Sequence, residues 1–311
     1  MRRHINGILL LDKPIGITSN GALQRMKHLF RAKKAGHTGS LDPMATGMLP
    51  LCFGEATKFS QFLLDSDKTY VVTGQLGVCT TTGDREGTVS ANSPVNGMSM
   101  ERIDAVLQAF VGEIDQIPPM FSAIKVQGKP LYELARKGIE IERKSRRIKI
   151  YSITGKNYDA AAQQFTFEVH CSKGTYVRTL VEDIGRLLLC GAHVADLRRT
   201  RVAPYDGKQI YTFEALQLIA DTTGQEGLEA CLLPLETAVS GFPGIKLSTS
   251  AAFYLRTGQA VRATVPMLAP LIRLYSEDER FLGIGEVTAD GRVQPYRLLS
   301  THDAGAVHAT V

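Results

Sequence analysis

Gly36-His37-Thr38-Gly39-Ser40-Leu41-Asp42-Pro43-Met44-Ala45-Thr46-Gly47-Met48-Leu49-Pro50 is the densest functional signal in the sequence. It gathers glycines, prolines, one imidazole, one carboxylate and several small hydroxyls within a single short stretch. Three readings fit it. A phosphate cradle would use its glycine amides, but the segment lacks the Gly-Lys-Ser/Thr ending of a P-loop and is not Gly-x-Gly-x-x-Gly. A structural turn would use Asp42 before Pro43 to cap the next element. A catalytic loop would present Asp42 in a cleft, with glycines letting a ligand approach the backbone. The turn-formers predict a structured loop over 36–54 rather than a regular element.

The flanks supply the scaffold. Ile8 to Leu11 reads as a short buried strand closed by Lys13-Pro14. Ser19 is expected to cap a helix with Leu23, Met26 and Phe30 on its apolar stripe and Arg25, Lys27, His28, Arg31, Lys33 and Lys34 on its other side and exit. Residues 68–78 read as a strand with Tyr70, Val72, Gly74 and Leu76 on one face, followed by a turn over Thr80 to Gly87. Ile103, Val106, Leu107, Phe110 and Val111 fall at helical spacing behind Ser99. Ile117-Pro118-Pro119 breaks the chain. The most basic stretch, 120–150, interleaves nine Lys and Arg residues with Phe121, Tyr132 and Leu134.

Phe165 to Cys171 alternates cleanly, as a half-buried strand does. A turn at Lys173-Gly174 leads into a helix with Val177, Leu180, Val181, Ile184, Leu187 and Leu188 facing inward. Residues 219–245 are weakly patterned, and a domain boundary is expected at their end. Beyond it, short runs broken by Gly and Pro (271–274, 281–287, 293–299) suggest a small β-barrel, with a loose polar tail from Thr301.

Composition narrows the class. The 311 residues exceed what one core usually holds, and the charge of +5 permits a polyanionic partner without demanding one. Trp is absent, so stacking on bases falls to Tyr, Phe, His or Arg. Five widely spaced cysteines without a Cys-x-x-Cys argue against a zinc site or disulfide framework and fit a reducing compartment. The apolar run after Arg2-Arg3 is too short for a signal peptide, and no segment has the length of a membrane span. A soluble cytoplasmic protein without a metal site is expected.

Three further groups stand out. Lys173-Gly174-Thr175-Tyr176-Val177-Arg178 sits at a strand-to-helix junction, where it is either a tight turn with a surface Arg or part of a site. Tyr70 on its strand is either core or catalyst. In Gly191-Ala192-His193-Val194-Ala195-Asp196-Leu197-Arg198-Arg199-Thr200-Arg201, the arginines either grip phosphates or form a solvated face.

Taken together and in order, these blocks resemble the bacterial tRNA pseudouridine-55 synthases. The resemblance rests on Asn6 to Pro14, Gly36 to Gly47, Gly54-Glu55-Ala56-Thr57-Lys58, Asp67-Lys68-Thr69-Tyr70, Pro118 to Lys125, Lys173 to Arg178 and Gly191 to Val194. It runs from about residue 5 to 215 and more weakly to about 300. It implies an α+β fold: a catalytic domain over 1–245 with a mixed, largely antiparallel sheet flanked by helices, and a PUA-like β-barrel over 246–311. A flexible RNA-clamping segment is implied at about 118–150.

The implied reaction turns a T-loop uridine of tRNA into pseudouridine, with no cofactor, no nucleotide and no membrane partner. The implied state is a monomer. By the resemblance, Asp42 is the catalytic carboxylate, Tyr70 meets the flipped base, and Arg178 pairs with Asp42. Tyr176 and Leu197 would line the uracil pocket, and His37 would lie near the flipped nucleotide. Whether Asp42 attacks the base, attacks the sugar or removes a sugar proton stays open. Thr80-Thr81-Thr82 departs from the family's Thr-Asp-Thr, at a place expected to lie outside the chemistry. A non-catalytic RNA-binding protein is the rival reading; it would keep the basic surface without needing Asp42.

Overall fold

The structure, a computed structural model, describes residues 1–126, 128–265 and 269–300. In chain order, the elements begin with β1 (Gly7–Lys13), α1 (Ser19–Leu29), β2 (Ala35–His37), β3 (Thr46–Phe53), α2 (Ser60–Leu64) and β4 (Lys68–Leu76). A small hairpin of β5 (Val78–Thr80) and β6 (Val89–Asn92) precedes α3 (Met100–Gln108) and β7 (Gly112–Gln116). The basic excursion carries two-residue strands β8 (Lys125–Val126) and β9 (Lys129–Pro130) and helix α4 (Leu131–Ala135). Then come β10 (Arg146–Asp159), β11 (Gln164–Cys171), α5 (Val177–Leu187), β12 (Ala192–Val202) and α6 (Phe213–Ala230). The last part holds β13 (Gly244–Lys246), α7 (Thr249–Arg256), β14 (Val261–Arg262), β15 (Leu271–Tyr275), β16 (Phe281–Val287) and β17 (Arg292–Leu298).

The central sheet runs β1-β3-β12-β4-β11-β10-β7, with β2 also on β3. Every pair is antiparallel except β3 with β12. This is the mixed, largely antiparallel sheet of an α+β fold. The alternating strands behave as their pattern demands. Lys68, Tyr70, Val72, Gly74 and Leu76 of β4 point inward, as do Phe165, Phe167, Val169 and Cys171 of β11. On α5, Val177, Leu180, Val181 and Ile184 are buried, each contributing about 1.5–3 kcal/mol of apolar transfer. The smaller sheet follows the order β13-β15-β16-β17-β14, an open curl whose two end strands are not paired with each other among the described residues. Phe281 and Ile284 of β16 share a buried cluster with Ile8, Leu10, Phe59 and Tyr205 of the larger body.

Several expectations need correcting. The expected loop over 36–54 is confined to 38–45, because β3 is a strand with every residue from Gly47 to Phe53 buried. Its glycines and Pro50 suggested a loop, but Met48 to Phe53 is an apolar run buried on both faces, as strands inside a sheet are. Thr18, not Ser19, caps α1, accepting from Gly21 N at 3.0 Å. The basic excursion ends sooner than 150, since Arg146 already belongs to β10. Residues up to Ala230 are helical rather than unpatterned, with a break at Gly224, whose φ of 67° no ordinary helix contains. Leu187 faces solvent, whereas Leu188 is buried as expected. The tail from Thr301 lies outside the described residues.

Candidate active site

The 38–45 loop leaves β2 at His37 and enters β3 at Thr46, beside the short stretch where β3 pairs with β12. Its carbonyls are held one after another. Gly39 O accepts from Arg199 Nη2 at 3.1 Å. Leu41 O accepts from Ser19 Oγ at 3.0 Å, and Leu41 N donates back to the same hydroxyl at 2.7 Å. Pro43 O accepts from Gly16 N at 2.8 Å and from Lys13 Nζ at 3.3 Å. Gly39 takes a φ of +79°, which L-residues adopt only under strain. At Gly47 a Cβ would stand 2.2 Å from Arg199 O, so β3 and β12 approach only because no side chain is there.

This bracing presents the Asp42 side chain toward Arg178. Arg178 Nε stands 2.9 Å from Asp42 Oδ2. The same guanidinium donates from Nη1 to Thr82 O at 2.9 Å and from Nη2 to Phe121 O at 2.7 Å. Its Nη1 also lies 3.7 Å from Asp84 Oδ2. Arg178 therefore joins the Asp42 loop, the turn after β5 and the root of the basic excursion. Its side chain is 6% accessible, whereas that of Asp42 is 39% accessible, open on one side to an incoming ligand.

Burial raises the Asp42 carboxyl above its ordinary value of 3.8, although the Arg178 charge opposes the rise; Asp84 adds to it. Burial likewise raises the hydroxyls of Tyr70 and Tyr176, and the Asp42 charge acts on both in the same direction. Both phenols are thus protonated at neutral pH. His37 is lowered by burial and then by Arg199, so its ring is neutral, and its Nδ1 is buried without a partner. Lys13, buried under the loop, is lowered to about 8 by desolvation, with Asp42 pulling it back up.

The expected residues are thus placed as follows. Asp42 and Arg178 are in contact. Tyr70 and Tyr176 lie within electrostatic reach of Asp42. Tyr176 occupies the N-cap position of α5, two residues before Arg178. Leu197 is buried on β12 opposite Val72, in the core cluster that also holds Tyr70. His37 ends β2, at the other side of the loop.

Two of the three arginines after Leu197 are tied into the fold. Arg198 makes a fork to Asp12 at 3.0 and 2.7 Å. Arg199 is 1% exposed, donates to Met48 O at 2.7 Å and stands in register with Tyr70 across the sheet. No carboxylate pairs with it among the described residues.

Asp84 was missed. It is buried, its Oδ1 accepts from Thr82 Oγ1 at 2.6 Å, and it faces Arg178. The turn over Thr80 to Gly87 therefore meets Arg178 through Thr82 O and Asp84. An acidic residue beside Gly83 in a predicted turn was the available signal. Among the described residues, no three His, Cys, Asp or Glu side chains are grouped to hold a metal ion, and the five cysteines are free. No helix among them is long and apolar enough to cross a membrane.

Comparison with known proteins places this arrangement in a family. Residues 27–177 match the model for the TruB family pseudouridylate synthase (N terminal domain). Residues 178–240 match the tRNA pseudouridylate synthase B C-terminal domain, and 243–299 match Pseudouridine synthase II TruB, C-terminal. A tRNA pseudouridine synthase B of Coxiella burnetii (strain RSA 493 / Nine Mile phase I) is 53% identical over 298 residues, covering 96% of each chain. One from Vibrio vulnificus (strain YJ016) is 49% identical over 308 residues, covering 97% of each. A chain of a solved Cbf5-Nop10-Gar1 complex aligns with a TM-score of 0.73 and 27% identity, covering 95% of this chain and 85% of that one. A chain of an archaeal box H/ACA sRNP Nop10-Cbf5 complex aligns at 0.70 and 25% identity, covering 97% and 88%. The chain belongs to the TruB family of pseudouridylate synthases, which are isomerases.

Proposed function

We propose that this protein isomerises the T-loop uridine at position 55 of tRNA to pseudouridine, with Asp42 as the catalytic carboxylate. The observation that carries the reading is the 2.9 Å Asp42–Arg178 pair on a loop held by the carbonyls of Gly39, Leu41 and Pro43. A carboxylate held by a buried guanidinium stays aimed, and its open side leaves room for a nucleotide.

The balance of the reaction is simple. The bond from C1′ to N1 breaks, a bond from C1′ to C5 forms, C5 loses a proton and N1 gains one. No electrons leave or enter. Asp42 ionises above a raised pKa, which makes its carboxylate a stronger base than an exposed one, and suits either attack or proton removal. Tyr70, protonated at rest, stacks against the uracil and relays the C5 proton rather than acting as a standing base. Tyr176 and Leu197 close the pocket. Unstacking the base costs a few kcal/mol, which contact with Tyr70 partly offsets. The neutral His37 takes the space that the flipped nucleotide leaves, and the cations of the 117–145 excursion hold the T-stem-loop.

The test is to map pseudouridines in tRNA incubated with the protein and with Asp42→Asn. The unaltered protein should modify one T-loop uridine. The variant should lose activity by on the order of a thousandfold or more while binding the RNA nearly as well. Substantial turnover by the variant would remove Asp42 from the chemistry, and binding without any turnover by the unaltered protein would favour a non-catalytic RNA-binding role.

A further inference from the structure

Residues 117–145 leave and re-enter the central sheet at one registered pair, Gln116 at the end of β7 and Arg146 at the start of β10. An excursion hung on one pair could swing without disturbing anything else. Two contacts prevent this. Gln116 is 2% exposed, and its side-chain amide spans the backbone of Tyr176: Oε1 accepts from Tyr176 N at 2.7 Å, and Nε2 donates to Tyr176 O at 3.0 Å. A few residues on, Phe121 O accepts from Arg178 Nη2 at 2.7 Å.

These partners are distant in sequence but adjacent in the site. Tyr176 precedes α5 and Arg178 lies in its first turn. Tyr176 offers no side-chain cap to that helix, so its entry angle is set from outside. A buried amide that both donates to and accepts from one residue reproduces the pairing of neighbouring strands where no strand exists. Removing it leaves Tyr176 N without its acceptor and leaves Tyr176 O with Leu180 N alone, a loss the chain can make good only by moving. Any such movement shifts Tyr176, and with it Arg178 and the direction in which Asp42 points.

We infer that Gln116 is a positioning residue for the isomerisation, holding Tyr176 and the start of α5 to the root of the RNA-gripping segment so that grip and carboxylate aim form one mechanical unit. The inference rests on the proposed isomerase reading. It assigns to the excursion a part in turnover, separate from the attraction of its cations for phosphate. A defect at its root therefore falls on kcat.

The experiment uses the full chain and a T-stem-loop RNA, with pseudouridine formation and RNA affinity measured on Gln116→Ala and Gln116→Glu. Both should lower kcat about 10- to 100-fold, with KM changed by no more than about threefold. In Gln116→Glu the introduced carboxyl still accepts from Tyr176 N but can donate to Tyr176 O only when protonated. Its rate relative to the unaltered protein should therefore climb as the pH falls, which a merely loosened fold would not produce. A raised KM at unchanged kcat, or full activity in both variants, overturns the inference. So does failure of both variants to fold in a thermal melt, which would make Gln116 a structural residue only. Inactivity of the unaltered protein would overturn the isomerase reading as well, whereas defects confined to the variants concern Gln116 alone.

Discussion

The 38–45 loop and the 117–145 excursion border the same carboxylate but are built in opposite ways. The loop is short, and buried donors from Ser19, Lys13 and Arg199 capture its carbonyls. The excursion is long, with half of its described residues exposed, two two-residue strands and a five-residue helix anchored by the buried Leu131. On the proposed reading, one positions a reacting group, which fails when displaced by about an ångström, and the other accommodates a curved, charged RNA surface, which rewards adaptability. Arg178 touches both, so rigidity and compliance meet at one guanidinium.

Breaking that meeting point should have the largest effect. Arg178→Lys keeps the charge but cannot bond Asp42, Thr82 O and Phe121 O at once, because an ammonium lacks the planar fork. Single-turnover rates should fall by about 100-fold or more with little change in RNA affinity. Equal losses in rate and affinity would mean that the arginine serves binding instead.

On the excursion side, Lys129→Gln, Lys137→Gln and Lys144→Gln combined should weaken RNA binding. The slope of log affinity against log salt should fall by about 2, if each cation neutralises one phosphate. An unchanged slope would show that these lysines do not meet the RNA.

Ser19→Ala tests the loop. It leaves Leu41 N and O without their buried partner, costing about 1–3 kcal/mol. The melting temperature should drop by roughly 2–10 °C, and turnover should fall with it. A rise in temperature stability would refute the bracing role.

The smallest expected effect is a gain. The folded Asp42 pKa is raised, so the stability tied to its proton is complete below 3.8 and lost as pH rises through the folded value. At neutral pH, Asp42→Asn should therefore melt slightly higher than the unaltered protein. The difference should vanish as the buffer falls to about pH 3, below both pKa values. A lower melting temperature at neutral pH would mean that the Arg178 pairing outweighs burial.

Much of this was legible from local periodicity. The alternation in β4 and β11 and the apolar stripe of α5 follow from spacing alone. So does Ser99 as a cap, accepting from Arg102 N. What escaped depends on partners far along the chain. β3 looked like a loop because Gly47 and Pro50 punctuate it, and only its neighbours β1 and β12 make it a strand. Arg198 and Arg199 left phosphate-gripping and solvated readings open because nothing nearby in sequence announces Asp12 or Met48 as partners. Asp84 is an ordinary turn aspartate until α5 brings Arg178 against it. Gln116 carries no motif, and its role exists only through a residue sixty positions away.

The parallel pairing of β3 with β12 ties the Asp42 loop to a much later part of the chain. Residues 46 and 47 align with 198 and 199, so the loop's last supports are translated some 150 residues after the loop itself. Contacts of such high sequence separation form late and slow folding. A nascent chain emerging from the ribosome would carry Asp42 early, yet with Gly39 O and Met48 O still lacking Arg199. A ribosome-bound fragment that ends before β12 is therefore expected to be catalytically silent.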